Sequence, residues 1–123
     1  MIGMVEMDGA VPIREQLNDA SDEPVLLVNV FHAPPDEVDA LLAAWADDAN
    51  FFKAQPGFIS AQLHRGIGGS SAFMNYAVWQ SVGAFRAAFT SPEFQAKLAG
   101  YPEHATISPH LFRKIAVDGI CVA

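Results

Sequence analysis

The chain has 123 residues, enough for one hydrophobic core and too few for two independent ones. Apolar residues make up 51% and charged residues 17%, which argues against wholesale disorder, and no apolar run approaches the roughly 18–20 residues that cross a bilayer. The net charge of −7 is concentrated: residues 1–23 hold six acids against Arg14 alone, leaving −5 there and −2 for the remainder, a balance that repels nucleic-acid backbones.

That acidic front, Glu6 through Glu23, reads as a solvated N-terminal arm with at most one short helical turn. Residues 24–123 read as the folded domain. No basic leader followed by an apolar block is visible, and the lone Cys121 has no internal disulfide partner; a cytoplasmic location is the expectation.

Val25 to His32 is dense in branched apolar residues, with Asn29 as its one internal polar residue, and predicts a central strand covered on both faces. Pro34 and Pro35 end it. Asp36 stands where a helix N-cap belongs, and Val38, Leu41, Leu42, Trp45, Ala49 and Phe52 recur at helical spacing, with Asp47, Asn50 and Lys53 on the opposite side. Gln55-Pro56-Gly57 must terminate that helix, because proline disfavours helical geometry in the residue before it.

Phe58–Arg65 and Ala72–Gln80 are two further strands, joined by a glycine-rich stretch from Gly66 to Ser71 that suits a hairpin. A phosphate-binding loop would instead lead into a helix and usually carry a lysine. Ser81 caps a short helix containing Phe85, Ala88 and Phe89. Ser91-Pro92-Glu93 starts another, with Phe94 and Leu98 on its buried side and Gly100 as its stop. Ser108 to Val117 reads as the last strand. The order is β-α-β-β-α-β, a ferredoxin-like α+β fold with an antiparallel sheet and both helical regions on one face. The other face then needs a cover, and a second copy of the chain is the simplest one, so a homodimer is expected.

Conventional site signals are missing. His32, His64, His104 and His110 show no zinc-type spacing, no Gly-x-Ser-x-Gly turn occurs, and no dinucleotide-binding unit is present. Neither a metal nor another cofactor is expected. What stands out is Phe73 to Ser81. Alternation puts Asn75 and Trp79 on one strand face, about 13 Å apart at strand rise. Facing the helices, they border a cavity with Asn29, Phe85, Phe89, Phe94 and Leu98. An amide, an indole N–H and aromatic walls suit a flat, partly polar aromatic ligand; a hydrogen-bonded Asn beside a core Trp is the plain structural alternative.

The Asn29-Val30-Phe31 strand, the Gln55-Pro56-Gly57-Phe58 turn, the Asn75-x-x-x-Trp79-x-Ser81 segment and the Ser91-Pro92-Glu93-Phe94 break resemble, in order and spacing, the antibiotic biosynthesis monooxygenase superfamily over residues 25–116. The resemblance implies a dimeric α+β barrel. For its best-understood members it also implies oxidation of anthrone-like polyketide aromatics by O2 without flavin or metal. It makes Asn75 and Trp79 the catalytic pair holding the substrate carbonyl and the developing oxyanion. On the reading of the residues themselves, Asn29, Phe31 and His64 join Phe85, Phe89, Phe94 and Leu98 as substrate-binding residues, and His64 is a distant candidate for proton removal. This chain departs from some members at Phe85, where they carry tyrosine, and at Ala99, where they carry arginine. Two other readings follow from the same superfamily. One is a dimeric binding or stress-response module without turnover. The other is a haem-degrading branch, whose strand asparagine Asn29 matches but whose tryptophan and iron-ligating histidine are Ala88 and Leu98 here.

Overall fold

The structure, a computed structural model, describes residues 2–123. In chain order the elements are β1 (Gly3–Met4), α1 (Ile13–Gln16), β2 (Val25–His32), α2 (Val38–Lys53), β3 (Phe58–Arg65), β4 (Ala72–Trp79), α3 (Val82–Phe89), α4 (Pro92–Lys97) and β5 (Thr106–Phe112), with 3₁₀ turns at Pro35–Glu37 and Leu98–Gly100. One sheet runs β1-β5-β2-β4-β3. Strands β2 to β5 pair antiparallel in the ferredoxin-like arrangement, and β1 adds a short parallel edge beside β5.

Local chemistry explains most boundaries. Ser81 accepts a hydrogen bond from the Ala84 N–H and Ser91 from the Phe94 N–H, so α3 and α4 each begin on a serine cap, with Pro92 in the first turn of α4. Asp36 does not cap α2. It lies within the 3₁₀ turn that follows Pro34, and α2 begins at Val38 without a side-chain cap. The Glu37 carboxylate beside it accepts hydrogen bonds from the backbone N–H and ring Nδ1 of His104, tying the start of α2 to the loop before β5. Gly57 adopts φ +86° where the chain leaves α2 and turns into β3. A Cβ there would come within 2.4 Å of the Ala84 Cβ. Gly68 and Gly69, both at positive φ, close the β3–β4 hairpin.

Two further expectations need correction. The last strand spans Thr106–Phe112 rather than 108–117: its start pairs with β1 and the end of β2, while beyond Phe112 the Arg113 guanidinium turns aside to both Asp19 carboxylate oxygens. The acidic arm is not simply solvated. Ile2, Ile13 and Leu17 are buried in it, the Gln16 side chain accepts from the Leu111 N–H, and Arg86 donates to the Leu17 carbonyl. The arm thereby covers the β5 edge, which would otherwise expose unpaired backbone groups.

The inner sheet face and the helices enclose two apolar clusters. One contains Val25, Leu27, Ala77, Trp79, Val82 and Phe85; the other contains Phe31, Val38, Leu41, Phe73, Tyr101 and Ile107. Asn29 and Asn75 lie opposite each other in the β2–β4 register, at the point where the core divides. The outer face is not covered within one chain. Leu26, Val28, Met74 and Val78 are half-buried there, while Val30, Tyr76 and Phe112 are exposed.

Candidate active site

Between the two clusters lies a cavity bounded by the sheet below and by α2, α3 and α4 above. Eight of the residues expected at the site line it: Asn29, Phe31, Asn75, Trp79, Phe85, Phe89, Phe94 and Leu98. The strands deliver their four by alternation, since Asn29 and Phe31 of β2 and Asn75 and Trp79 of β4 all point to the inner face. The helices deliver the rest along their apolar sides.

His64 is not among them. It stands in register with Met74 and so shares the outer face of β4's neighbour, exposed, with its Nδ1 3.3 Å from the Met74 carbonyl oxygen. Leu63, opposite Asn75, takes the inward place. The sheet therefore separates His64 from the cavity, and it cannot take a proton from anything bound there.

Trp79 is 1% exposed and is met edge-on by Phe52, Phe58 and Phe85, at centroid separations of 5.8, 5.4 and 5.6 Å. Three T-shaped contacts fix the indole plane at the cavity wall. Phe89 and Phe94, 5.3 Å apart, continue the aromatic lining, and Phe94 reaches Phe52 at 4.7 Å. The hollow is narrow, with about 40 Å³ open to the centre of a water-sized sphere. That is room for roughly two or three water molecules, so a ring system enters only if lining side chains move apart.

The polar groups differ in how they are held. Asn29 is engaged: its Oδ1 accepts the Ser108 N–H at 3.0 Å, bracing β2 against β5 beside Pro109. Asn75 is not. Its buried Oδ1 has no hydrogen-bond partner within the protein. A buried, unpaired amide oxygen costs free energy unless something supplies a donor.

Sequence reasoning missed the two other polar lining residues, Asp48 of α2 and Tyr101. Asp48 is 5% exposed, and among the described residues its Oδ1 is the other buried side-chain oxygen without a partner. Burial pushes its carboxyl up to about 6, opposed by the polar influence of the neighbouring Tyr101 hydroxyl. Tyr101 is itself buried, stacks on Phe31 at 6.1 Å, and has its hydroxyl pKa raised by burial and by the Asp48 charge. A signal was present: Asp48 follows Leu41 by seven residues and precedes Phe52 by four, which places a carboxylate on the apolar side of α2.

The fold and this cavity define a ferredoxin-like α+β domain with an aromatic, sparsely polar pocket under its helices. Residues 24–99 match the antibiotic biosynthesis monooxygenase family model, and the chain belongs to that family. It is similar to deoxynogalonate monooxygenase of Streptomyces nogalater, 37% identical over 82 residues that cover 64% of this chain and 67% of that protein. It is also similar in structure to SnoaB, a cofactor-independent oxygenase from Streptomyces nogalater. That match has 30% identity and a TM-score of 0.66, covering 79% of this chain and 98% of that one. Rv0793 from Mycobacterium tuberculosis, 20% identical with a TM-score of 0.67 over 79% of this chain and 100% of its own, shares the fold. Among the described residues no helix is long and apolar enough to cross a membrane.

Proposed function

We propose that this chain is a cofactor-independent monooxygenase that oxidises a small, anthrone-like aromatic with O2, working as a homodimer. The observation that carries the reading is the buried, unpartnered Oδ1 of Asn75 on the same strand face as the fixed indole of Trp79, inside an aromatic cavity. Its likeness to a cofactor-independent oxygenase supports the same chemistry. Loss of a proton from the substrate's acidic ring carbon gives an electron-rich anion, which reduces O2 and forms a C–O bond. A ring CH2 and O2 then become a ring C=O and H2O. Asn75 orients the substrate through both ends of its amide, Oδ1 accepting from a substrate hydroxyl and Nδ2–H donating to the substrate oxygen, and the Trp79 N–H donates to the negative charge that develops on the ring system. Phe85, Phe89, Phe94 and Leu98 exclude water from the anion, while Asn29 and Phe31 form the floor.

Oxygen uptake with a hydroxyanthrone is the test. Wild type consumes O2, and Asn75→Ala lowers kcat/KM by about 100-fold, the cost of one oxyanion donor. Equal rates in the two proteins contradict the reading.

A second reading, a dimeric binding module without turnover, is favoured by the narrowness of the cavity. It predicts no uptake by either protein.

A further inference from the structure

We infer that Asp48 is the base that takes the proton from the bound aromatic, an inference that rests on the monooxygenase reading of this cavity. Removing a proton from an aromatic ligand needs an acceptor facing the ligand, and among the residues lining the cavity Asp48 carries the one carboxylate. His64, the acceptor first expected, is on the far side of the sheet. Asp48 has been carried into the protein on the inner side of α2, where a carboxylate gains nothing by packing. Its Oδ1 lacks any donor. A lone pair held without a partner in an apolar enclosure is free to receive a proton from whatever enters.

The second orphan atom, Asn75 Oδ1, opens on the same cavity from the sheet side. The cavity thus presents acceptors from above and below within aromatic walls. A ligand that satisfies both carries hydrogen to give at two places, as a hydroxylated aromatic with an acidic ring carbon does. In the step itself, the substrate C–H bond breaks and its electron pair stays on the ring as the delocalised anion. The proton goes to Asp48 Oδ1, leaving a neutral carboxylic acid. That neutral form is the one the apolar site favours, so accepting the proton relieves the burial of charge. The anion then meets O2, the oxidant of the proposed reaction.

The groups that set this carboxylate are few. Tyr101 faces it and favours its charged form, Lys97 of α4 also favours it, and Asp47 beside it on α2 disfavours it. Lys97 is itself held by Asp47 at 2.9 Å, so the two largely offset each other. Tyr101 is the partner that tunes the base. It acts through Asp48 and is a positioning residue.

The test is oxygen uptake with a hydroxyanthrone from pH 5 to pH 9 on wild type, Asp48→Asn and Tyr101→Phe, with substrate binding followed separately in the absence of O2. Wild type loses kcat/KM tenfold per pH unit below an acid limb near pH 6. Asp48→Asn lowers kcat by at least about 100-fold, abolishes that limb and leaves anaerobic binding within about threefold. Tyr101→Phe moves the limb to higher pH. Asp48→Asn turning over at the wild-type rate with an unchanged limb overturns the assignment while the role of Asn75 stands. A wild type that binds the anthrone but takes up no O2 overturns the monooxygenase reading, and this inference with it. Should Asp48→Asn fail to fold, a limb that stays in place in Tyr101→Phe overturns the assignment alone.

Discussion

Asp48 is placed against stability. Its carboxyl titrates at about 6 in the folded chain and near the ordinary 3.8 when exposed, so the folded state binds a proton more tightly than the unfolded state. Stability is therefore greatest when the group is protonated, and it is lost as pH rises from about 4 through about 6. The difference amounts to about 3 kcal/mol at neutral pH. Asp48→Asn, which removes the charge and keeps the shape, is expected to stabilise the chain by about 1–3 kcal/mol at pH 7.5. The advantage should vanish by pH 4. Urea melts of both proteins at the two pH values check this, and a gap independent of pH contradicts the buried charge. A destabilising group facing a cavity is what a functional site retains when activity and stability conflict.

Residue-level chemistry was only partly legible in the sequence. Asn75 and Trp79 could be placed on one strand face because strand alternation is strict, and the structure brings both to the cavity wall. His64 was misplaced because the alternation of β3 was not tied to that of β4; the pairing of Leu63 with Asn75 and His64 with Met74 decides it. Asp48 was overlooked because a charged residue next to exposed Asp47 reads as surface, although its spacing from Leu41 and Phe52 puts it inside. Tyr101 lies in a turn-rich stretch where spacing carries no facial information.

At the level of elements, hydrophobic period and punctuation located β2, α2, the β3–β4 hairpin and the two serine-capped helices. The N-terminal arm was another matter. Its acidic residues suggested solvent, yet Ile13 and Leu17 pack into the core and Gln16 seals an edge of the sheet. Such docking depends on backbone groups of β5 left open, which no local pattern reveals. The turn between α2 and β3 is more stringent. Gly57 combines positive φ with an approach that leaves no room for a side chain. Gly57→Ala should cost about 1–3 kcal/mol through backbone strain and displacement of α3. A thermal melt within one degree of wild type contradicts that account of the turn.

At the scale of the whole molecule, the outer sheet face decides the assembly. Val30, Tyr76 and Phe112, at 37, 39 and 40% exposure, sit beside half-buried Leu26, Val28, Met74 and Val78. An apolar stripe of this kind along the two central strands calls for a partner, and a second copy offers the same surface in return. Tyr76→Lys places a charge amid that face without touching the cavity. Sedimentation should give a dimer for wild type and a monomer for the variant; a monomeric wild type contradicts the proposed assembly.

The most direct measurement of the chemistry is the origin of the oxygen atom in the product. A hydroxyanthrone turned over under heavy-isotope O2 in ordinary water should yield a quinone carrying a single heavy atom at the oxidised ring carbon, with metal chelators and added flavin making no difference. Product whose new oxygen comes from water, or turnover that begins only when flavin or metal is supplied, contradicts a reaction run by an amide, an indole and a buried carboxylate alone.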